Sequence, residues 1–174
     1  MRHQDEAAIV ACMPSLRRYA RGLVSDPHRA DDLVQDTLER AWSRISQWQR
    51  RDDIRPWLFG ILHNRFVDVV RATRSRPEES AGDELPDTAQ RAEQSDRLEV
   101  RDLDRALQRL PPEQRVVLLL VAVEEMSYQE AAGVIGVPIG TVMSRLARAR
   151  ERLRRELQNR APTELGAPAL QRIK

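Results

Sequence analysis

The chain has 174 residues, of which 41% are hydrophobic, 32% charged and only 4% aromatic, with a formal net charge of +2. That length and apolar share suit one domain or two small ones with a genuine core, and the near-neutral balance excludes a uniformly basic nucleic-acid binder, so affinity for an anionic partner must come from local patches. Cys12 stands alone, which excludes a disulfide framework and a cysteine-rich metal site.

The opening stretch MRHQDEAAIV sets acids before a short apolar patch, unlike a signal peptide, and no run approaches membrane-spanning length. A reducing cytoplasm is the expected home. Few glycines and few β-branched runs predict an all-α fold. A first helix is expected over about Glu6 to Val24, where Ile9, Leu16, Tyr19, Ala20 and Leu23 recur at helical spacing. Ser25-Asp26-Pro27 announces a second, with Asp26 capping the free amides and Pro27 pre-set for the first helical position. Its apolar stripe is Ala30, Leu33, Val34, Thr37, Leu38, Ala41 and Ile45. Asp31, Asp32, Gln35, Asp36 and Glu39 form an acidic face, which on charge pattern alone reads as a solvated surface.

The stretch SQWQRRDDI has no regular apolar period and reads as a loop holding Trp48, Arg50 and Arg51. A third helix begins near Pro56. Leu58, Ile61, Leu62, Arg65 by its stem, Phe66 and Val69 are expected to face inward, with Trp57, Asn64, Asp68 and Arg71 on another stripe. Arg71, Arg74 and Arg76 make its end basic, which suits the helix dipole.

Residues 76–97 are acidic, carry two prolines and almost no large apolar side chain, and cannot fold alone. They are expected to be a flexible linker between two small helical domains, 1–75 and 98–160. The second domain starts with an amphipathic helix on Leu98, Leu103, Ala106, Leu107 and Leu110. Pro112 opens a strongly apolar helix, PEQRVVLLLVAVEEM. SYQEAAGVIG then reads as a short helix packing through Ala131, Ala132 and Ile135 and ended by Gly136-Val137-Pro138. A last helix starting at Gly140 or Thr141 buries Val142, Leu146, Ala149, Leu153 and Leu157.

Short helix, glycine-containing turn and second helix are the grammar of a helix-turn-helix. Thr141, Ser144, Arg145, Arg148 and Arg152 turn away from the buried stripe, where arginine can pair with guanine edges or neutralise phosphate. The competing reading is a basic surface helix. Against it, Arg145, Arg148, Arg150, Arg152, Arg154 and Arg155 face only Glu151 and Glu156 within the helix.

Taken together, DDLVQDTLERAW, RPWLFGILHNRFVDVVRATRSR and LPPEQRVVLLLVAVEEMSYQEAAGVIGVPIGTVMSRLARARERLR resemble, in this order, an extracytoplasmic-function (ECF, group IV) sigma factor of the sigma-70 family, over about Leu16 to Leu157. The resemblance implies sigma domain 2 over 1–75 and sigma domain 4 over 98–160, with 161–174 a mobile tail. It implies core RNA polymerase and promoter DNA as partners. Asp32, Gln35, Asp36 and Glu39 would dock on the β′ clamp helices, and domain 4 on the β flap. Trp48, Arg50 and Arg51 of the loop, with Trp57, Asn64, Asp68, Arg71 and Arg74, would hold the −10 strand. Thr141, Met143, Ser144, Arg145, Ala147, Arg148 and Arg152 would read the −35 element.

Met143 stands where many members have a basic residue, Ala147 where many have a larger one, and the loop lacks the family's Phe-Arg-Gly start. An anti-sigma factor, often membrane-anchored, is a further implied partner. No cofactor, metal or small-molecule substrate is expected: His3, His28, His63 and Cys12 match no ligand spacing. His63 is expected at the DNA or core surface. No nucleophile–base pair, phosphate loop or supported carboxylate dyad appears, so the chain is not expected to be an enzyme. The alternative is a helix-turn-helix transcriptional regulator that is not a polymerase subunit; the first block's lack of strand–helix alternation speaks against it.

Overall fold

A computed structural model describes residues 2–48, 53–75 and 94–158, all helices and short turns, with no strand among them. The expected tail, most of the expected linker, and Arg50 and Arg51 lie outside the described residues. The first half comprises α1 (Arg2–Leu23), α2 (Pro27–Arg44), a 3₁₀ turn (Ile45–Gln47) and α3 (Ile54–Ser75). The second comprises α4 (Gln94–Gln108), α5 (Pro112–Leu118) running into a wide turn (Leu119–Val123), α6 (Tyr128–Ile135) and α7 (Ile139–Gln158).

Local chemistry sets most boundaries. Asp26 accepts from the amides of His28 at 2.8 Å and Arg29 at 3.3 Å, capping α2 behind Pro27. Asp53 accepts from the amide of Arg55 at 3.0 Å, so α3 starts at Ile54, slightly before the expected Pro56. Ser127 and Glu130 form a reciprocal capping box at the start of α6. Gly136, with φ of 72°, ends that helix in the left-handed region where a side chain is strained. α4 begins at Gln94, inside the stretch expected as linker, and buries Ala106 near its C-terminal end.

α1, α2 and α3 pack on one another, and α7 is embraced by α4, α5 and α6. Ile9, Leu16, Tyr19, Ala20 and Leu23 are buried as expected, as are Ala30, Leu33, Val34, Thr37 and Ala41. The two halves do not stand apart. Their buried side chains join into one continuous cluster, through contacts of α3 with α6 and of α1 with α4, α5 and the wide turn.

This docking explains where the helical stripes were misjudged. α3 buries two adjacent stripes, one against α1 and α2 and one toward the second half. Phe59 is therefore buried and stacks at 5.1 Å on Tyr19, while Val69 is 41% exposed. Leu103 and Leu157 are likewise exposed rather than core, and Val134 is buried more completely than Ile135.

Gly22 meets the wide turn where an added Cβ would lie 2.7 Å from Leu119 Cδ2, so any larger residue there forces the Leu119 side chain to shift. At the C-terminus of α1 the free carbonyls are satisfied by the other half: Gln108 Nε2 donates to Gly22 O at 3.2 Å and Arg115 Nη1 to Leu23 O at 2.5 Å. Cys12 is half-buried against the core; burial, then the charge of Asp53, pushes its thiol pKa up. Among the described residues no helix is long and apolar enough to cross a membrane.

Candidate functional site

The helix-turn-helix is assembled as the sequence implies. Gly136 turns the chain, and the Pro138 carbonyl accepts from the amides of Thr141 at 2.9 Å and Val142 at 3.3 Å, starting α7. Val142, Leu146 and Ala149 anchor α7 in the core, which aims the opposite arc outward. Met143, Ser144, Ala147, Arg148 and Arg152 are exposed on that arc, with Thr141 and Arg145 half-buried at its edge.

The charges on α7 segregate. Glu151 accepts from Arg154 at 3.0 Å and Arg155 at 2.9 Å, and Glu156 accepts from Arg109 of the connection after α4 at 3.0 Å. Both acids are thus occupied by arginines near the C-terminal end. Among the described residues no ion pair engages Arg145, Arg148, Arg150 or Arg152. Arg148 folds back on Ser144, donating to its carbonyl at 3.3 Å and its hydroxyl at 3.4 Å. An arginine-rich arc with this charge surplus can accept an anionic backbone at little cost in broken internal pairs.

On α3, Asn64, Asp68 and Arg71 share an exposed stripe. Trp57 does not stand with them: it is half-buried and packed against the core. Trp48, too, packs against the core, and its indole N–H is buried with no partner among the described residues. The side chain of Arg74 lies outside the described set.

His63 is a correction. It is 7% exposed, covered by the docking of the second half, rather than at a surface. Burial, then the nearby Arg145, lowers its pKa from the ordinary 6.5 to about 4, so the ring is neutral near pH 7. Its Nδ1 has no hydrogen-bond partner among the described residues.

On α2, Asp32, Gln35 and Glu39 are exposed, with Gln35 Nε2 donating to Glu39 at 3.0 Å. Asp36 is half-buried and turned inward: Arg65 of α3 donates to its Oδ2 from Nε at 2.8 Å and from Nη2 at 2.5 Å. Asp36 therefore clamps α2 to α3 as well as lying beside the acidic face. Trp42, 55% exposed, continues the line of Gln35 and Glu39 and borders a groove with Asp5, Glu6 and Ile45. Its exposure was hidden in the sequence, where a large aromatic reads as core. Among the described residues no cluster of His, Cys, Asp and Glu could hold a metal ion.

Two family models match: the sigma2 domain of PhyR over residues 9–63 and sigma-70 region 4 over residues 101–153. The ECF RNA polymerase sigma factor EcfG of Rhodopseudomonas palustris is 39% identical over 145 residues, covering 83% of this chain and 80% of that one. The chain belongs to the ECF RNA polymerase sigma factors.

SigM of Bacillus subtilis, another ECF sigma factor, is 32% identical over 82% of this chain and 88% of its own. Among solved structures, the sigma factor RpoE of Bartonella quintana, crystallised with the anti-sigma factor NepR, superposes with a TM-score of 0.76. It is 34% identical, over 89% of this chain and 97% of that one. CnrH, in complex with the cytosolic domain of CnrY, gives a TM-score of 0.71 at 26% identity, over 92% of each chain. In this sigma factor the two halves are thus the region 2 and region 4 domains, in family order, and the helix-turn-helix belongs to the second.

Proposed function

We propose that this sigma factor divides promoter recognition between the two exposed faces described above. It binds core RNA polymerase and directs initiation at promoters; the polymerase supplies the chemistry. Domain 2, over 1–75, takes the −10 element, and domain 4, over 98–160, takes the −35 element, joined by the acidic segment 76–97.

In domain 4, Thr141, Met143, Ser144, Ala147 and Arg148 enter the major groove, and Arg145 and Arg152 flank them on phosphate. In domain 2, Asn64, Asp68, Arg71 and Arg74 line the melted −10 strand with Trp48, Arg50, Arg51 and Trp57 at its start. Asp32, Gln35, Asp36 and Glu39 dock on the β′ clamp helices, with Trp42 beside them as an aromatic anchor, and domain 4 contacts the β flap. An anti-sigma factor restrains the protein in the cytoplasm, at the membrane where that factor is anchored there.

The observation that carries this reading is the outward arc of α7, which keeps Arg145, Arg148 and Arg152 without an ion-pair partner among the described residues while the helix's acids are occupied elsewhere. The test adds purified protein to core polymerase and a promoter library. Specific transcripts absent with core alone are expected, and identical transcripts would sink the reading. Arg148→Ala is expected to weaken −35 duplex binding about 10-fold, from the roughly 1–3 kcal/mol of one bidentate base contact. Core binding should be unchanged, and its loss would contradict the assignment of this face to DNA.

A further inference from the structure

Two arginines of domain 2 close on a single carboxylate of domain 4. Glu124, which ends the wide turn after α5, is 1% exposed. Arg18 of α1 donates from Nε to Glu124 Oε1 at 2.8 Å and from Nη2 to Oε2 at 2.9 Å. Arg55, at the start of α3, donates from Nη2 to Oε2 at 2.9 Å and to the Glu124 carbonyl at 2.6 Å. Its guanidinium is steadied 5.4 Å from the Phe59 ring centroid. The next residue, Glu125, has φ of 55°, a conformation strained for a non-glycine residue and held only when its surroundings demand it.

We infer that Glu124 is an intramolecular latch that holds the sigma chain closed, with its two promoter-reading domains docked on each other, and that opening the latch precedes recognition of both elements. This rests on the sigma reading above. The closed form cannot reach both elements. Packed helices lie about 8–10 Å apart, and α3 packs directly on α6 of the helix-turn-helix. The −35 and −10 elements are separated by roughly 25 base pairs, about 85 Å of duplex at 3.4 Å per pair. The half-buried Arg145 of the reading helix also sits close enough to His63 of α3 to depress its pKa, so the two DNA-facing helices crowd each other.

The three charges regain water when the halves part. Removing Glu124 therefore leaves the arginine charges uncompensated only in the docked form, which favours opening. A latch of this kind lowers apparent affinity for any partner of the open form by the fraction of chains that are open.

The test measures the full chain by small-angle X-ray scattering and by core polymerase binding, with circular dichroism to check helix content. A closed chain of this length has a radius of gyration near 16 Å before its extended segments are added. Glu124→Ala leaves Arg18 and Arg55, both on domain 2, without their carboxylate against domain 4 and is expected to raise the radius by several ångströms at unchanged helix content. Apparent core affinity should tighten about 10-fold, as expected when the open fraction rises from about a tenth to nearly all. Arg18→Ala, on an exposed helix face, should move both readouts the same way by less, and it decides the matter where Glu124→Ala loses helix. Variants as compact as wild type with unchanged core affinity would overturn the latch. Compaction is read without polymerase: expansion of the variants with no core binding by any chain would keep the latch and sink the sigma reading instead.

Discussion

Arg115 is the residue whose removal should tell most about how the two domains are held. Arg115 is 8% exposed, and its guanidinium donates to four acceptors: Leu23 O at 2.5 Å, Gln108 O at 2.8 Å, Leu110 O at 3.1 Å and the Gln108 side-chain oxygen. Burial pulls its pKa below the ordinary arginine value, opposed by Asp104. Arg115→Met keeps the stem and the volume but strips every donor. The Gln108 side chain can turn to water, whereas the Leu23 and Leu110 carbonyls are left buried and unpaired, at about 1–3 kcal/mol each. Methionine recovers part of this because no charge need be desolvated. The net loss is about 3 kcal/mol. With a urea slope of about 2 kcal/mol/M, the unfolding midpoint should fall by about 1.5 M.

The assay follows urea unfolding by circular dichroism, which sees both halves, and by tryptophan fluorescence. Trp42, Trp48 and Trp57 all lie in domain 2. Because only Leu23 O lies in domain 2 and the other acceptors lie with Arg115 in domain 4, the dichroism midpoint should fall most and the fluorescence midpoint by less. Arg115→Lys should recover less than half, since a compact ammonium cannot span acceptors arranged around a guanidinium fork. A midpoint drop under about 0.5 M, or a shift in dichroism without one in fluorescence, would refute the bridging role.

Gly22→Val places a branched side chain against Leu119, whose methyls lie 2.7 and 2.8 Å from the new Cβ position. Overpacking of this kind costs about 1–3 kcal/mol, and Leu119→Ala should relieve much of it in a double-mutant cycle measured by thermal unfolding. The buried His63 predicts a pH dependence. Its pKa is lowered to about 4 by burial and by Arg145, so the unfolded chain binds the extra proton between about pH 6.5 and 4. Stability present above pH 6.5 is therefore lost as the pH falls through that window, by up to about 3 kcal/mol. His63→Gln should flatten the melting temperature between pH 7 and pH 5 relative to wild type; parallel curves would contradict the assignment.

The helices and their order were legible because the signals that start and stop them are local. Asp26 reaches amides two and three residues on, Ser127 and Glu130 satisfy each other three residues apart, and Gly136 supplies its own positive φ. The helix-turn-helix was legible for the same reason: its buried stripe and outward arginines repeat with the helical period of a single element. What the sequence could not disclose is the docking of the two domains, which buries residues identical in type to exposed neighbours. Glu124 and Glu125 are adjacent in the chain, yet one is 1% exposed and the other lies on the surface.

The acceptors and donors that decide this are far away in sequence. Arg18 lies 106 residues from Glu124, and Arg55 lies 69 residues from it. The same holds for His63, whose burial beside Arg145 of α7 a period of 3.6 residues does not disclose. Sequence alone determined which segments are helices, the Asp26 cap and which arc of α7 turns away from the core. Only the tertiary structure decided which charges are withdrawn from water, because burial of a charge depends on a partner supplied by another part of the chain.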